Sequence, residues 1–371
     1  MQMFFIKFLS SIMIFMSFAL FFYQFDTEER IIFYPSYGYL DEEGTEWVIR
    51  FRIYVYEYRP RSQRTVTRFF KSFRDLNQHQ AELFSSRIKD FVVDSESREV
   101  VLFRFDHDPE REVFTLLNND GEPKKTDLNG MMEGELRLPV RRVNQLLQSQ
   151  KPDDSWLSFR AVSAGHSGYG MVKLVPPHGL SIISDIDDTV KITELPAGSS
   201  IVIRNTFYKE YTAAPGMAEF YHEFGEDTMF HYVTGSPWQL YRPLSEFLFS
   251  DEAGFPKGTL HMKSVTKNFL SVNTWRDLRE LVMNEDVTFD QKIRQISQIM
   301  EHFPEREFIL IGDSGEADPE VFSEIRRMFP RQIKEIYIRD VVNAREEEPE
   351  RLSGMNIIPA PTILPGVSQF D

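Results

Sequence analysis

The sequence predicts an α/β protein. A mainly parallel sheet covered by helices fills the C-terminal half, and a β-rich, sandwich-like domain precedes it. Three observations carry this. From Ile31 to about Val175, alternating apolar and polar runs are separated by turn residues. After Pro177, short apolar strands alternate with helical periodicity. Between the two lies Val175-Pro176-Pro177-His178-Gly179, a natural boundary. Alternation of period two marks half-buried strands, and strands alternating with helices mark a parallel sheet buried on both faces.

Residues 1–25 read as a signal peptide or membrane anchor. Lys7 precedes an uncharged, mostly apolar run from Phe8 to Phe25, which ends at Asp26, Glu28 and Glu29. This is the charge order of an export signal, and Ser17-Phe18-Ala19 is a passable cleavage site. Left in place, the run is just long enough to span a bilayer. The expectation is a protein exported or tethered to a membrane, its body outside the cytoplasm.

The β-rich domain is expected over 30–175. Trp47 to Tyr58 alternates apolar with polar and is rich in β-branched and aromatic residues. Val100–Phe105, Glu112–Leu117, Gly134–Leu138 and Trp156–Val162 read as further strands, with turns at Asn119-Asp120-Gly121 and Asn129-Gly130. Thr65 to Lys89 is polar and reads as helical. His107-Asp108 reads as a solvated loop pair, since no third ligand is near.

The second domain is expected over 177–343. Its strands are Leu180–Ser184, Thr228–Val233, Thr259–Met262, Glu307–Ile311 and Ile333–Ile338. Helices are expected at Pro237–Phe249, Asp290–His302 and Pro319–Met328; Ile293, Ile296, Ile299 and Met300 share one face of the middle one. Residues 344–371, acidic and then proline-rich, read as an irregular tail.

Composition narrows the chemistry. A net charge of −15 argues against nucleic acid, whose phosphates need clustered Lys and Arg. The absence of cysteine removes disulfides, thiolate metal sites and cysteine nucleophiles. The 33 phenylalanines point to generous aromatic cores or apolar contact surfaces.

The central motif is Ser184-Asp185-Ile186-Asp187-Asp188-Thr189. Carboxylates this close at the end of an apolar strand are costly without a compensating cation. In extended chain Asp185 and Asp187 project to the same side, while Asp188 projects oppositely and reads as structural. One carboxylate can attack phosphorus, and the other can protonate the leaving oxygen and then activate water. Val233-Thr234-Gly235-Ser236-Pro237 offers a hydroxyl and free N–H groups before a helix, which suits an anion. Ile311-Gly312-Asp313-Ser314-Gly315-Glu316-Ala317-Asp318 is an acidic loop suited to a hard, oxygen-ligated Mg²⁺. Lys292, opening a helix between them, has Lys263 and Lys267 as competitors.

Acid pair, threonine, lysine and acid loop, in this order, resemble the haloacid dehalogenase superfamily of aspartate-nucleophile phosphatases. The blocks Ser184–Thr193, Arg204–Phe207, Pro215–Met217, His231–Tyr241 and Ile311–Pro319 resemble, more narrowly, the App1-type phosphatidate phosphatase catalytic domain. The resemblance covers Pro177 to about Val342; Tyr34-Pro-Ser-Tyr-Gly38 onward is similar, more weakly, to the β-rich segment preceding that domain in bacterial members. It implies a haloacid dehalogenase-like Rossmannoid sheet and a Mg²⁺-dependent phosphomonoesterase. Asp185 would be nucleophile and metal ligand, and Asp187 the general acid/base with its backbone carbonyl on the metal. Thr234 would hold the phosphoryl group, Lys292 would neutralise its charge, and Asp313 would complete the metal shell, with Asp318 as an outer-shell partner. Thr234, Gly235, Ser236 and Trp238 are the expected substrate contacts. Phosphatidate is the expected substrate, at a membrane surface, with Ile201 to Tyr211 as a covering flap.

Other readings discriminate poorly or fail. Soluble phosphomonoesters would use the same chemistry. A serine esterase reading of Gly312-Asp-Ser314 lacks a histidine after the serine, and Gly165-His-Ser-Gly168 lacks the last glycine of G-x-S-x-G, since Tyr169 stands there. A non-catalytic, membrane-tethered binding protein would not need the intact set of polar residues.

Overall fold

A computed structural model describes residues 29–57, 77–91, 93–151, 155–263 and 285–368. The expected signal or anchor at 1–25, and Lys267, lie outside these residues. No helix among the described residues is long and apolar enough to cross a membrane.

The N-terminal part contains β1 (Glu29–Phe33), β2 (Ser36–Leu40), β3 (Glu46–Glu57), α1 (Gln78–Ile88), β4 (Asp94–Ser95), β5 (Phe103–Phe105), β6 (Met131–Pro139), α2 (Val140–Gln150), β7 (Trp156–Ala161), β8 (His166–Ser167) and β9 (Tyr169–Leu174). The strands form one nine-stranded network in the order β5-β7-β9-β2-β3-β1-β8, with β4 and β6 also on β3. The expected β-rich, sandwich-like domain is thus hydrogen-bonded into one network. The reason is the length of β3. Its 12 residues pair with β2 near Trp47–Ile49, with β1 near Ile53–Tyr56 and with β6 throughout Glu46–Tyr54, so one strand joins what would be separate layers.

Both faces of β3 are covered. Ile49, Phe51, Ile53 and Val55 enter a core with Phe103, Phe105, Leu157 and Phe159. The alternate residues Tyr54 and Tyr56 join the core of the C-terminal half instead. The expected strand at Glu112–Leu117 is reduced to isolated bridges from Phe114 and Leu117. Asp108 is not solvated, contrary to expectation. Its side chain is fully buried and pairs with Arg142 at 2.7 Å, while its oxygens also accept the Glu110 and Glu112 N–H groups. The ligand for this acid comes from α2, 34 residues away, which no local pattern reveals.

The C-terminal part contains β10 (Gly179–Ser184), α3 (Ser199–Phe207), α4 (Met217–His222), β11 (Met229–Pro237), α5 (Tyr241–Leu248), β12 (Gly258–Lys263), α6 (Glu285–His302), β13 (Arg306–Asp313), α7 (Asp318–Met328), β14 (Ile333–Asp340), α8 (Ala344–Glu347) and β15 (Asn356–Pro359). All strand pairs are parallel, in the order β12-β11-β10-β13-β14-β15. The tail is therefore not irregular throughout, because β15 adds a sixth strand. Successive residues of the central strands serve opposite layers: Ile182, Ile309 and Ile311 face one cluster, Ile183, Phe308 and Leu310 the other. The chain reverses its direction of sheet growth between β10 and β13. A crevice opens at the carboxyl ends of such strands, the usual place for a ligand.

Candidate active site

A cavity of about 520 Å³ occupies that crevice, bordered by Asp187, Ser236, Phe289, Lys292, Glu316 and Arg351 among others. It is built from strand ends. β10 runs into Asp185, whose N–H donates to Ile311 O on β13 at 2.9 Å, so the sheet itself fixes the backbone there. Asp188 takes a left-handed conformation (φ 56°) and its carboxylate caps the next loop, accepting from the N–H groups of Thr193, Glu194 and Leu195 at 2.8, 2.7 and 2.6 Å. It ties down the turn over Thr193–Leu195.

Asp185 and Asp187 occupy opposite environments. Asp185 is buried, with Oδ1 accepting from Lys292 Nζ at 2.8 Å and Oδ2 buried without a partner. Lys292 also donates to Asp318 at 2.6 Å and Glu316 at 2.9 Å. Asp185, Asp313, Glu316 and Asp318 each present an oxygen, all within 4.8 Å of one another. Burial pushes the Asp185 carboxyl well up, and Asp318, Glu316 and Asp187 add to this against the opposing effect of Lys292. Asp313 is raised for the same reasons, burial first and then Asp318. Burial and the surrounding acids bring Glu316 to about 7 although Lys292 works against them. One ammonium does not compensate this many carboxylates.

Asp187 faces the other way. Its Oδ1 accepts from Thr193 Oγ1 at 2.6 Å and Lys191 Nζ at 2.8 Å; its Oδ2 accepts from Thr234 Oγ1 at 3.1 Å and Ser236 Oγ at 2.9 Å. Burial opposes ionisation, but Lys191, Thr193 and Ser236 outweigh it and bring this carboxyl to about 2. Lys191 is itself almost fully buried, and Tyr211 lies 4.9 Å over its ammonium.

The acid cluster depends on its loop. Asp313 Oδ1 accepts from Gly315 and Glu316 N–H at 2.7 and 3.2 Å, which turns the chain so that Glu316 points inward. Asp318, at the start of α7, accepts from Asp313 N–H at 3.2 Å. A Cβ at Gly312 would stand 2.4 Å from Asp318 Oδ2, so glycine is needed for that approach. Arg351 donates to Ser314 O at 2.6 Å, to Glu316 O and to the Glu320 carboxylate, holding the loop from behind.

The structure corrects several expectations. Glu316, unassigned from sequence, is in the four-acid cluster; the Asp187 carboxylate stands outside it, as expected of a residue whose backbone carbonyl is assigned to the metal. Trp238 does not border the cavity. It is buried against the N-terminal half, its ring 4.0 Å from that of Tyr54. Most apolar residues of the expected flap turn away from the cavity too. Phe207 and Tyr208 pack on Phe84 of α1, leaving Val202 and Thr206 on the cavity wall. Among the lysine competitors, Lys263 donates to Thr288 Oγ1 at 2.9 Å, and Lys292 is the one on Asp185. Lys191 and Thr193 stood in the quoted motif without a role. The turn over Ile186–Lys191 that brings them to Asp187 has no signal in the spacing.

The fit of a hard cation rests on orphaned oxygens. Oδ2 of Asp185 and Oδ2 of Asp313 are both buried without a hydrogen-bond partner, in an all-carboxylate donor set. Such oxygens are costly unless a cation meets them. The fold and site thus define a parallel α/β domain with an acidic, cation-ready centre at the end of its central strand.

Residues 180–340 match the family model described as Phosphatidate phosphatase APP1, catalytic domain. The chain is 34% identical to Phosphatidate phosphatase APP1 of Saccharomyces cerevisiae over 47% of its length, covering 28% of that protein. It is 30% identical to an uncharacterised protein of Schizosaccharomyces pombe over 46% of its length, covering 27% of that one. The chain therefore spans little more than a quarter of the relatives it matches. A solved carbohydrate esterase aligns with 83% of this chain and 87% of its own at 10% identity, with a TM-score of 0.22, too low to bear on the fold.

Proposed function

We propose that this protein is a Mg²⁺-dependent phosphatidate phosphatase acting through an aspartyl-phosphate on Asp185. The observation that carries the proposal is the opposite placement of two neighbouring carboxylates, one among acids and a lysine, the other among hydroxyls and a lysine. Enzymes that need two carboxyl groups in different roles separate them by environment. The App1-type match and the name of the yeast relative support the substrate class, and the parallel sheet with Asp185 at the end of a central strand supports the haloacid dehalogenase-like assignment.

Asp185, Asp313, Glu316 and Asp318 would hold the cation, which when bound offsets both the clustered carboxylates and the phosphoryl oxygens. An Asp185 oxygen attacks phosphorus, and the bond to the leaving oxygen breaks as Asp187 delivers a proton to it. Asp187, again a carboxylate, then takes a proton from the water that attacks phosphorus and frees Asp185. Thr234 and Ser236 already touch Asp187 and would exchange that contact for phosphoryl oxygens. Approach of a phosphate dianion would raise Asp187 from its low resting value, favouring the protonated form needed for the first step. Lys191 and Thr193 keep its orientation.

A soluble phosphomonoester is the second reading. It is favoured by the burial of Phe207 and Tyr208 against α1, which removes apolar surface an acyl chain would use. We further propose export or membrane tethering on the strength of the apolar run at the N-terminus.

The test is inorganic phosphate release, with Mg²⁺, from phosphatidate in mixed micelles and from a panel of soluble esters, using Asp185→Asn as control. Release from phosphatidate that the variant lacks is expected. Release from soluble esters alone would overturn the lipid substrate and keep the chemistry; no release from any ester would overturn both.

A further inference from the structure

A second cavity, of about 320 Å³, lies between the two halves of the molecule and away from the acidic centre. β3 contributes Arg50 and Arg52 to it, α6 contributes Gln291, Arg294 and Gln295, and β6 contributes Glu133. The pattern of β3 explains the arginines. Residues two apart on a strand share a face, and Arg50 and Arg52 lie on the same face as Tyr54 and Tyr56, the one turned to the C-terminal half. On α6, Gln291, Arg294 and Gln298 are spaced three and four apart and so line one side of the helix.

The arginines are costly here as they stand. The Arg50 and Arg52 side chains are only 20% and 15% exposed, whereas their cross-strand partners Glu135 and Glu133 are 39% and 60% exposed and stand 4.0 and 3.1 Å away. Arg50 Nη1 donates to Tyr37 Oη at 3.0 Å and Arg52 Nη1 to Met262 O at 3.1 Å. Arg52 Nε is buried without a hydrogen-bond partner. Arg294 has neither ion pair nor hydrogen bond among the described residues. The neighbouring imidazoles sense the resulting field: burial first, then Arg50 and Arg52, hold His261 down at about 3, and burial with Arg50 holds His302 at about 4. A cavity that buries guanidinium forks, excludes positive imidazoles and adds glutamine amides is shaped for a planar or tetrahedral oxyanion.

We propose that this interdomain cavity binds a small soluble molecule through a phosphate or carboxylate group, held by Arg50, Arg52 and Arg294. The inference does not depend on the phosphatase reading. Its site shares α6 with the acidic centre, Gln291 being the residue before Lys292.

The test is calorimetric titration of the full-length chain, in chelator, with inorganic phosphate and separately with succinate. Without metal, the clustered acids of the larger cavity repel both probes, so binding there is suppressed. At least one probe should bind with Kd of about 1 mM or tighter. Arg294→Gln, at an exposed position, should weaken it about tenfold, the loss of one charge-assisted contact. Arg50→Gln should do the same, and Thr234→Val, beside Asp187, should change nothing. Whichever probe binds more tightly identifies the group. Absence of binding by either probe up to about 20 mM, some 20-fold above the expected Kd, would overturn the proposal. So would binding that both arginine variants leave intact, or binding that Thr234→Val removes.

Discussion

Glu316→Gln isolates the charge surplus of the acidic centre. The Glu316 carboxylate accepts from Lys292 at 2.9 Å, a bond that a glutamine oxygen can still accept. Burial and the neighbouring Asp318 bring its carboxyl from 4.5 to about 7 even with Lys292 beside it. A folded value above the unfolded one means that its contribution to stability is full below about 4.5 and is lost as pH rises through about 7. At about 1.4 kcal/mol per pKa unit the ceiling is about 3 kcal/mol. The side chain is 20% exposed, and solvent screening lowers the expected effect to about 1–2 kcal/mol. In chelator, then, the variant and the parent should unfold at nearly the same urea concentration at pH 5. At pH 8 the variant should be the more stable. Adding Mg²⁺ should favour the parent more, closing or reversing the gap. A variant no more stable than the parent at pH 8 in chelator would refute the reasoning, because it would mean that Lys292 holds Glu316 favourably as an anion.

Thr234→Val should lower kcat about 10²–10³-fold with little change in thermal stability, the usual cost of one oxyanion contact, read by steady-state phosphate release. Gly312→Ala forces a Cβ to within 2.4 Å of Asp318 Oδ2. It should cost about 1–3 kcal/mol of stability and about tenfold in Mg²⁺ affinity, checked by urea unfolding and by metal titration of activity. Arg142→Met strands the fully buried Asp108 side chain and should cost about 3–5 kcal/mol. Adding Asp108→Asn should recover much of that loss in the same unfolding assay.

The parallel sheet was legible because each strand is an apolar run that stops at a polar loop, and those stops are where the site lies. Asp185, Thr234 and Asp313 could be placed from that rule alone. Lys292 could be placed on a helix but not chosen over Lys263, since the choice depends on which lysine reaches Asp185 across the sheet. Glu316 was hidden for a local reason. Its direction is set by two N–H groups that Asp313 accepts, a turn that no periodicity announces. β15 was hidden because it is four residues long, half-exposed and ends in Pro359, and only its pairing with β14 makes it a strand. Trp238 was misplaced because its position after the Thr234 loop says nothing about a sheet folded against it from 180 residues earlier. Tyr54 supplies that contact, and β3 is buried on both faces for the same reason.

The same fact bears on how the centre is held. β10 and β13 position Asp185 and Asp313, but α3, which walls the cavity with Val202 and Thr206, packs through Phe207 on Phe84 and Phe91 of the N-terminal half. Arg87 of α1 donates to Thr206 O at 2.9 Å and stacks 3.9 Å over Tyr211, the ring that covers Lys191. A line of contacts thus runs from α1 through Tyr211 and Lys191 to Asp187. The N-terminal half is therefore joined to the second carboxylate through Tyr211, and the C-terminal half expressed alone would lack the Arg87 that stacks on that ring. Water reaching the Lys191 ammonium would weaken its pairing with Asp187, because charges in a wetter site attract less. The β-rich half thus buttresses the ring that covers that pair.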